Sequence, residues 1–184
     1  MATIVSSFNI TSGSVDTRAA DGLTFTFTAR PQAMSIYLKF QERGTIHIPT
    51  AFLVWIGTTT LTAPYLGIAH NASNLYRASY HNGIALVTST LAAGPVVGQI
   101  VELLLTLSAA GVVQLSQSIN GAAVTSATAS SAGLIPATWS AQRISFNGIA
   151  AGIQDGATAL MNCEIIRGVQ DMPTMRRLAG TQNR

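Results

Sequence analysis

The stretch LYRASYHNG, residues 75–83, gathers the side chains in this sequence best suited to holding a sugar. Side chains alternate between faces along an extended chain, so Tyr76, Ala78 and Tyr80 share one face. His81 and Asn82 follow where Asn82-Gly83 signals a turn. Aromatic faces pack on the C–H faces of a pyranose, and imidazole and amide groups beside them hydrogen-bond its hydroxyls. Tyr76, Tyr80, His81 and Asn82 are therefore the glycan-binding candidates. The same spacing also describes two rings packed across strands in a sandwich core, each hydroxyl reaching a partner at the rim, and this is the commoner fate of such rings. Trp55 and Trp139 are read the same way, as core or interface residues.

Acid–base chemistry finds no comparable grouping. The carboxylates Asp16, Asp21, Glu42, Glu102, Asp155, Glu164 and Asp171 stand apart, without the paired spacing on one strand expected of two groups that must flank a glycosidic bond. Glu102 and Glu164 fall on the polar side of their strands and are expected to be solvated. The same sparsity argues against a calcium site, which needs several oxygen ligands. His47, His70 and His81 lack metal-ligand spacing, and Cys163 is the single cysteine, which excludes an intrachain disulfide and a thiolate cluster. No enzyme activity, metal or cofactor is expected.

Ten basic residues against seven acidic ones give a net charge of +3, too small for an electrostatic nucleic-acid binder. Arg176, Arg177 and Arg184 cluster near the end and are read as a solvated or interface-forming tail. Although 48% of residues are hydrophobic, Gly, Pro, Ser or Thr break every apolar run before it reaches a membrane span. Neither nucleic acid nor membrane is an expected partner. Only 9% of residues are charged, so the surface is unusually neutral and suits a chain packed against copies of itself or a scaffold. The opening MATIVSSFNITSG lacks the basic and apolar regions of a secretory signal, and folding in the cytoplasm is expected.

The elements that must position these residues are strands. Leu23, Phe25 and Phe27 alternate with threonines; Met34, Ile36, Leu38 and Phe40 alternate with Ser35, Tyr37 and Lys39. Short apolar segments follow around Pro49 and at Tyr65 to His70, then the hairpin at 75–90 and the strand Val101 to Leu107. In VVQLSQSINGAAV, residues 112–124, alternation runs into Asn120-Gly121, the preferred pair for a type I′ turn. Pairing outward from that turn sets Ile119 opposite Ala122, Gln117 opposite Val124 and Ser116 opposite Thr125. Gln114, Ser116, Ser118 and Thr125 then form a polar face toward water, a subunit or a ligand, while Gln117 lies on the apolar face and needs partners. Two late strands, Arg143 to Asn147 and Leu160 to Arg167, precede a short helix with Asp171 as N-cap and Pro173 in its first turn. About ten strands and one C-terminal helix predict an all-β, two-sheet sandwich over residues 22–180, with an arm or loosely attached strand at 1–21 and a tail at 181–184.

The order of these elements is itself informative. VGQIVELLLTLSAAGVVQLSQSINGAAV, then RISFNG, then ALMNCEIIRGVQDMPTMRRL resembles the second half of laminin-G-like, concanavalin A-like jelly rolls. TRAADGLTFTF, ARPQAMSIYLKFQERG and GVQDMPTMRRLA resemble a lectin-like module of tailed-bacteriophage structural proteins. The resemblance spans Thr17 to Ala179. It implies a non-enzymatic virion protein in many copies, as capsid decoration, head fibre or tail appendage, whose partners are its own copies and other virion proteins. The alternative is a module recognising host surface glycans. Ile4, Val5, Phe8 and Ile10 in the arm are the assembly candidates, because a segment without a turn tying it to the domain can add as a strand to a neighbour's sheet.

Overall fold

The computed structural model describes residues 22–26, 32–43, 52–57, 63–94, 96–136, 139, 141–146, 148–149, 153–154 and 158–181. Among these residues, thirteen strands and one helix follow in the order β1 (Gly22–Thr26), β2 (Met34–Glu42), β3 (Phe52–Gly57), β4 (Tyr65–His70), β5 (Tyr76–His81), β6 (Leu86–Thr90), β7 (Ile100–Leu107), β8 (Val113–Ile119), β9 (Thr125–Thr128), β10 (Ala141–Phe146), β11 (Gly148–Ile149), β12 (Ile153–Gln154), β13 (Thr158–Arg167) and α1 (Met172–Thr181). A six-stranded sheet runs β1-β10-β3-β4-β5-β6 and a five-stranded sheet runs β13-β2-β7-β8-β9; β11 and β12 form a small ribbon. All pairs in the two large sheets are antiparallel. The arm residues Ile4, Val5, Phe8 and Ile10 lie outside the described residues, as does most of the Pro49 segment.

Alternation builds the core. Met34, Ile36, Leu38 and Phe40 of β2 and Val101, Leu103, Leu105 and Leu107 of β7 face inward against Val54, Ile56, Leu66, Ile68, Tyr76, Ala78 and Tyr80 of the opposing sheet. Ser89 ties the sheets together at one side, donating to the Ala127 carbonyl across the sandwich at 2.7 Å. Trp139 is fully buried in the same core, and Trp55 packs with Phe52 and Tyr65 on the other face of β3 and β4. Gly67 makes that second cluster possible, since a Cβ there would sit 2.6 Å from the Phe52 ring.

The hairpin at 112–124 departs from its expected register. Asn120 and Gly121 do take positive φ, 49° and 78°, and Ala122 donates to the Ile119 carbonyl at 2.9 Å, as a type I′ turn requires. Beyond the turn, however, Ser116 pairs with Ser126 and Gln117 with Thr125, one residue later than simple pairing from the turn. Ser118 Oγ donates to the Ala122 carbonyl at 2.7 Å and holds the extra residue out of the ladder. The slip exchanges the faces of β9: Ala127 turns inward opposite Leu115, and Val124 is left exposed. Burying alanine rather than Ser126 accounts for the preference. Gln117 is buried on the inner face, and its Nε2 has no hydrogen-bond partner among the described residues.

Candidate functional site

The four glycan candidates separate into two kinds. Tyr76 and Tyr80 are fully buried between the sheets. The Tyr80 hydroxyl donates to the Leu134 carbonyl at 3.2 Å, and the Tyr76 hydroxyl donates to Glu42, beside which His70 lies within 4.0 Å. A ring with no exposed surface cannot stack on a sugar, so the platform reading of these tyrosines is corrected and the packing reading holds. His81 and Asn82 are part-exposed, but they build the turn. His81 Nδ1 accepts from Gly83 N at 3.0 Å, and Asn82 Oδ1 accepts from the amides of Ile84 and Ala85 at 2.8 Å each. Asn82 Nδ2 donates to the Ala132 carbonyl. Its amide is spent on joining two loops.

A polar cluster that the sequence reading did not assemble sits on the outer face of the five-stranded sheet. Register places Lys39 of β2 beside Glu102 of β7 and Glu102 beside Ser118 of β8, with Tyr37 and Leu104 in the neighbouring row. The helix covers part of this face. Asp171 Oδ1 accepts from Thr174 N at 2.8 Å, which makes Asp171 the N-cap expected of it. Ser35 holds the turn into the helix, donating to the Gly168 carbonyl at 2.8 Å and accepting from Gln170 N at 2.9 Å. The spacing of Met172, Met175 and Ala179 gives α1 an apolar stripe, which buries Tyr37 and Leu104. The outer face is therefore a small second core at this point, where alternation alone predicted solvent.

Arg176, one turn along α1, reaches down to that face. Its Nε donates to Glu102 Oε2 at 2.9 Å, and its Nη2 donates to the same oxygen and to Ser118 Oγ at 2.6 Å. Tyr37 donates to Glu102 Oε1 at 2.6 Å. Glu102 is 6% exposed, so the solvated-carboxylate expectation is corrected, and Arg176 is a clasp rather than part of a solvated tail. Burial pushes the Glu102 carboxyl up, but the hydrogen bonds from Arg176 and Tyr37, with the charges of Arg176 and Lys39, outweigh it and hold the group below its ordinary value. Tyr37 is shifted strongly upward by burial and by its bond to Glu102. Glu164 is also buried rather than solvated.

A depressed carboxylate stabilises the fold above its unfolded-state pKa and loses that contribution as pH falls through its folded value. Glu102→Gln is accordingly expected to cost about 1–3 kcal/mol at neutral pH, discounted for the part-exposed arginine. The gap to the natural chain should begin to narrow as pH falls through the ordinary carboxylate range and close only once pH is below the lowered folded-state value of Glu102, where both side chains are neutral. Melting curves across pH, with amide exchange over residues 172–180, measure this; a gap unchanged at pH 3 would contradict it.

Beside the clasp lies an open depression of about 380 Å³, lined by Lys39, Ile100, Glu102, Asn120, Gly121 and Arg176. Asn120 is fixed there because its Oδ1 accepts from Ile100 N at 2.9 Å and its own N–H donates to the Ile100 carbonyl at 2.8 Å. Periodicity marks Lys39 and Glu102 as outward residues, but nothing local links them to Arg176, 74 positions beyond Glu102.

Two antiparallel sheets packed around one core and closed by a terminal helix match known structures along most of the chain. The fold is a concanavalin A-like jelly roll. The jelly roll superposes on the LG1–3 region of the laminin α2 chain with a TM-score of 0.59 and 7% identity, covering 78% of this chain and 30% of that one. It superposes on the Ruminococcus gnavus IT-sialidase CBM40 bound to α2,6 sialyllactose with a TM-score of 0.56 and 12% identity, covering 86% and 96%. A third similar structure is the enzymatically active domain of bacteriophage CBA120 tailspike protein 2, with a TM-score of 0.54 and 13% identity, covering 81% of this chain and 24% of that one. The chain thus spans less than a third of the laminin and tailspike chains. At the level of sequence, no family model and no curated protein matches. The jelly roll is shared by carbohydrate-binding and phage-appendage proteins, and among the described residues no helix is long and apolar enough to cross a membrane.

Proposed function

We propose that this jelly roll is a non-enzymatic structural module of a tailed-phage particle, present in many copies as a capsid decoration, head fibre or tail appendage, and folded in the host cytoplasm before assembly. The observation that carries this reading is which apolar groups meet solvent. Tyr37, Tyr76, Tyr80, Trp55 and Trp139 are all buried, whereas Ile84 at the β5–β6 turn is 92% exposed, Leu134 62% and Met161 57%. Exposed aliphatic groups at loop ends and edges suit contact with another protein surface, and no fully exposed aromatic ring stands ready for a sugar among the described residues. The buried pairing of Glu102, and the hydrogen bond from Tyr76 to Glu42, also use carboxylates that hydrolysis would need free. The likeness to a tailspike domain supports the phage setting.

The arm provides the test. Deleting residues 2–15, with Ile4, Val5, Phe8 and Ile10, is expected to leave the circular dichroism of the sandwich near normal and to abolish or sharply reduce multimer formation and particle incorporation. Light scattering and particle assembly measure both. Unchanged assembly would remove the arm from the contacts, and loss of folding would make it an integral strand.

The second reading is recognition of host glycans, favoured by the depression beside Arg176 and supported by the likeness to a carbohydrate-binding module. A glycan array on the isolated chain separates the two, since the structural reading alone expects no binding.

A further inference from the structure

We infer that the depression between the β8–β9 turn and α1 is a binding site for the carboxylate of an acidic saccharide. This rests on the second, glycan-binding reading and gives it a location and a ligand class. The case begins with what the lining offers. The one acidic group, Glu102, has both oxygens occupied: Oε1 by the Tyr37 hydroxyl and Oε2 by two N–H groups of Arg176. Asn120 has its carbonyl oxygen committed to Ile100 N, so its amide has only N–H groups left to give. Arg176 directs Nε and Nη2 into the protein and is one third exposed, leaving Nη1 without a partner among the described residues.

Lys39 completes the set. It is the chain's single lysine, it lines the depression, and its ammonium makes no hydrogen bond or ion pair among the described residues. It is part-buried beside a carboxylate that Arg176 has already neutralised. Two cations against one anion leave a net positive charge, and every uncommitted side-chain polar group in the lining is a donor. A cavity of donors selects an acceptor-only group, and a carboxylate meets Lys39 and Arg176 by charge-assisted hydrogen bonds. Ile100 adds an apolar wall for the C–H face of the sugar that carries it. The site is open and shallow, so binding is expected to be weak for one copy and to gain strength when many copies are displayed together.

The lone lysine also makes the test specific. Reductive ¹³C-methylation preserves charge and yields one side-chain resonance for Lys39, with the α-amino group as internal reference. Titration of the full chain with sialyllactose and with trigalacturonate is expected to shift the Lys39 resonance and not the reference, while lactose and inorganic phosphate leave both in place. Lys39→Gln is expected to weaken binding of the acidic sugars about tenfold, the loss of roughly one charged hydrogen bond, with a small loss of stability because a positive charge beside Glu102 is removed; Lys39→Arg keeps that charge and is expected to retain most of the binding with unchanged melting. Acidic sugars that bind without moving the Lys39 resonance would overturn the site while leaving the glycan reading intact. No binding by any saccharide would overturn both, and a shift with phosphate alone would mark an adventitious ion only.

Discussion

Tyr80→Ala is expected to lower stability by about 3–5 kcal/mol, the cost of emptying a ring-sized volume in a closed core. The ring is fully buried, in register with Leu66 on one side and Val87 on the other, and its centroid lies 6.4 Å from that of Trp139. Its cross-strand neighbours Leu66 and Val87 are held in ladders on both sides, which limits how far the core can collapse into the space. Tyr80→Phe keeps the packing and removes the donor to the Leu134 carbonyl, so about 1 kcal/mol is expected. Urea unfolding followed by tryptophan fluorescence distinguishes these values. An unchanged curve for Tyr80→Ala would mean that the ring is not core, and would return it to the list of sugar contacts.

Gly111→Ala is expected to be comparably severe, at about 3 kcal/mol or more, for a different reason. Gly111 has φ of 77°, where an L side chain costs roughly 1–2 kcal/mol. A Cβ there would also fall 1.8 Å from the Gly133 carbonyl oxygen, which is backbone and cannot rotate away. The two loops meet closely because Ala132 N donates to the Gly111 carbonyl at 3.2 Å, and Asn82 joins them through the Ala132 carbonyl. Separating them would loosen the end of the sandwich that carries Leu134. Gly121→Ala is the matched comparison: φ is 78°, but nothing lies within 4 Å of the added methyl, so only the conformational cost of about 1 kcal/mol is expected. Equal effects at the two positions would show that the loop contact carries no weight.

Strand identity and the inward residues of β2 and β7 were legible because each is written in consecutive residues. Alternation at Met34 to Phe40 and Val101 to Leu107 specifies a face with no knowledge of what lies opposite. The Asn120-Gly121 turn and the Asp171 cap were legible for the same reason, since the residue and the backbone group it serves are neighbours in the chain.

What lay beyond reading was whatever depends on a partner distant in sequence. The register of β9 turned on Ser118 capturing a carbonyl and on Ala127 being a better inward residue than Ser126, a comparison that needs the opposing sheet in place. The outer face of β2 and β7 looked solvated until α1, arriving more than sixty residues after β7, covered Tyr37 and Leu104. The same arrival turned Glu102 from a surface carboxylate into a buried acceptor and set Arg176 beside Lys39. By itself the sequence determined an all-β sandwich, its turns and its helix cap, because hydrophobic period and φ preference are local properties. Tertiary structure alone decided that Tyr76 and Tyr80 are core, that β9 slips by one residue, and where donors collect, because burial and charge pairing are set by which chemically unrelated segments the fold brings together.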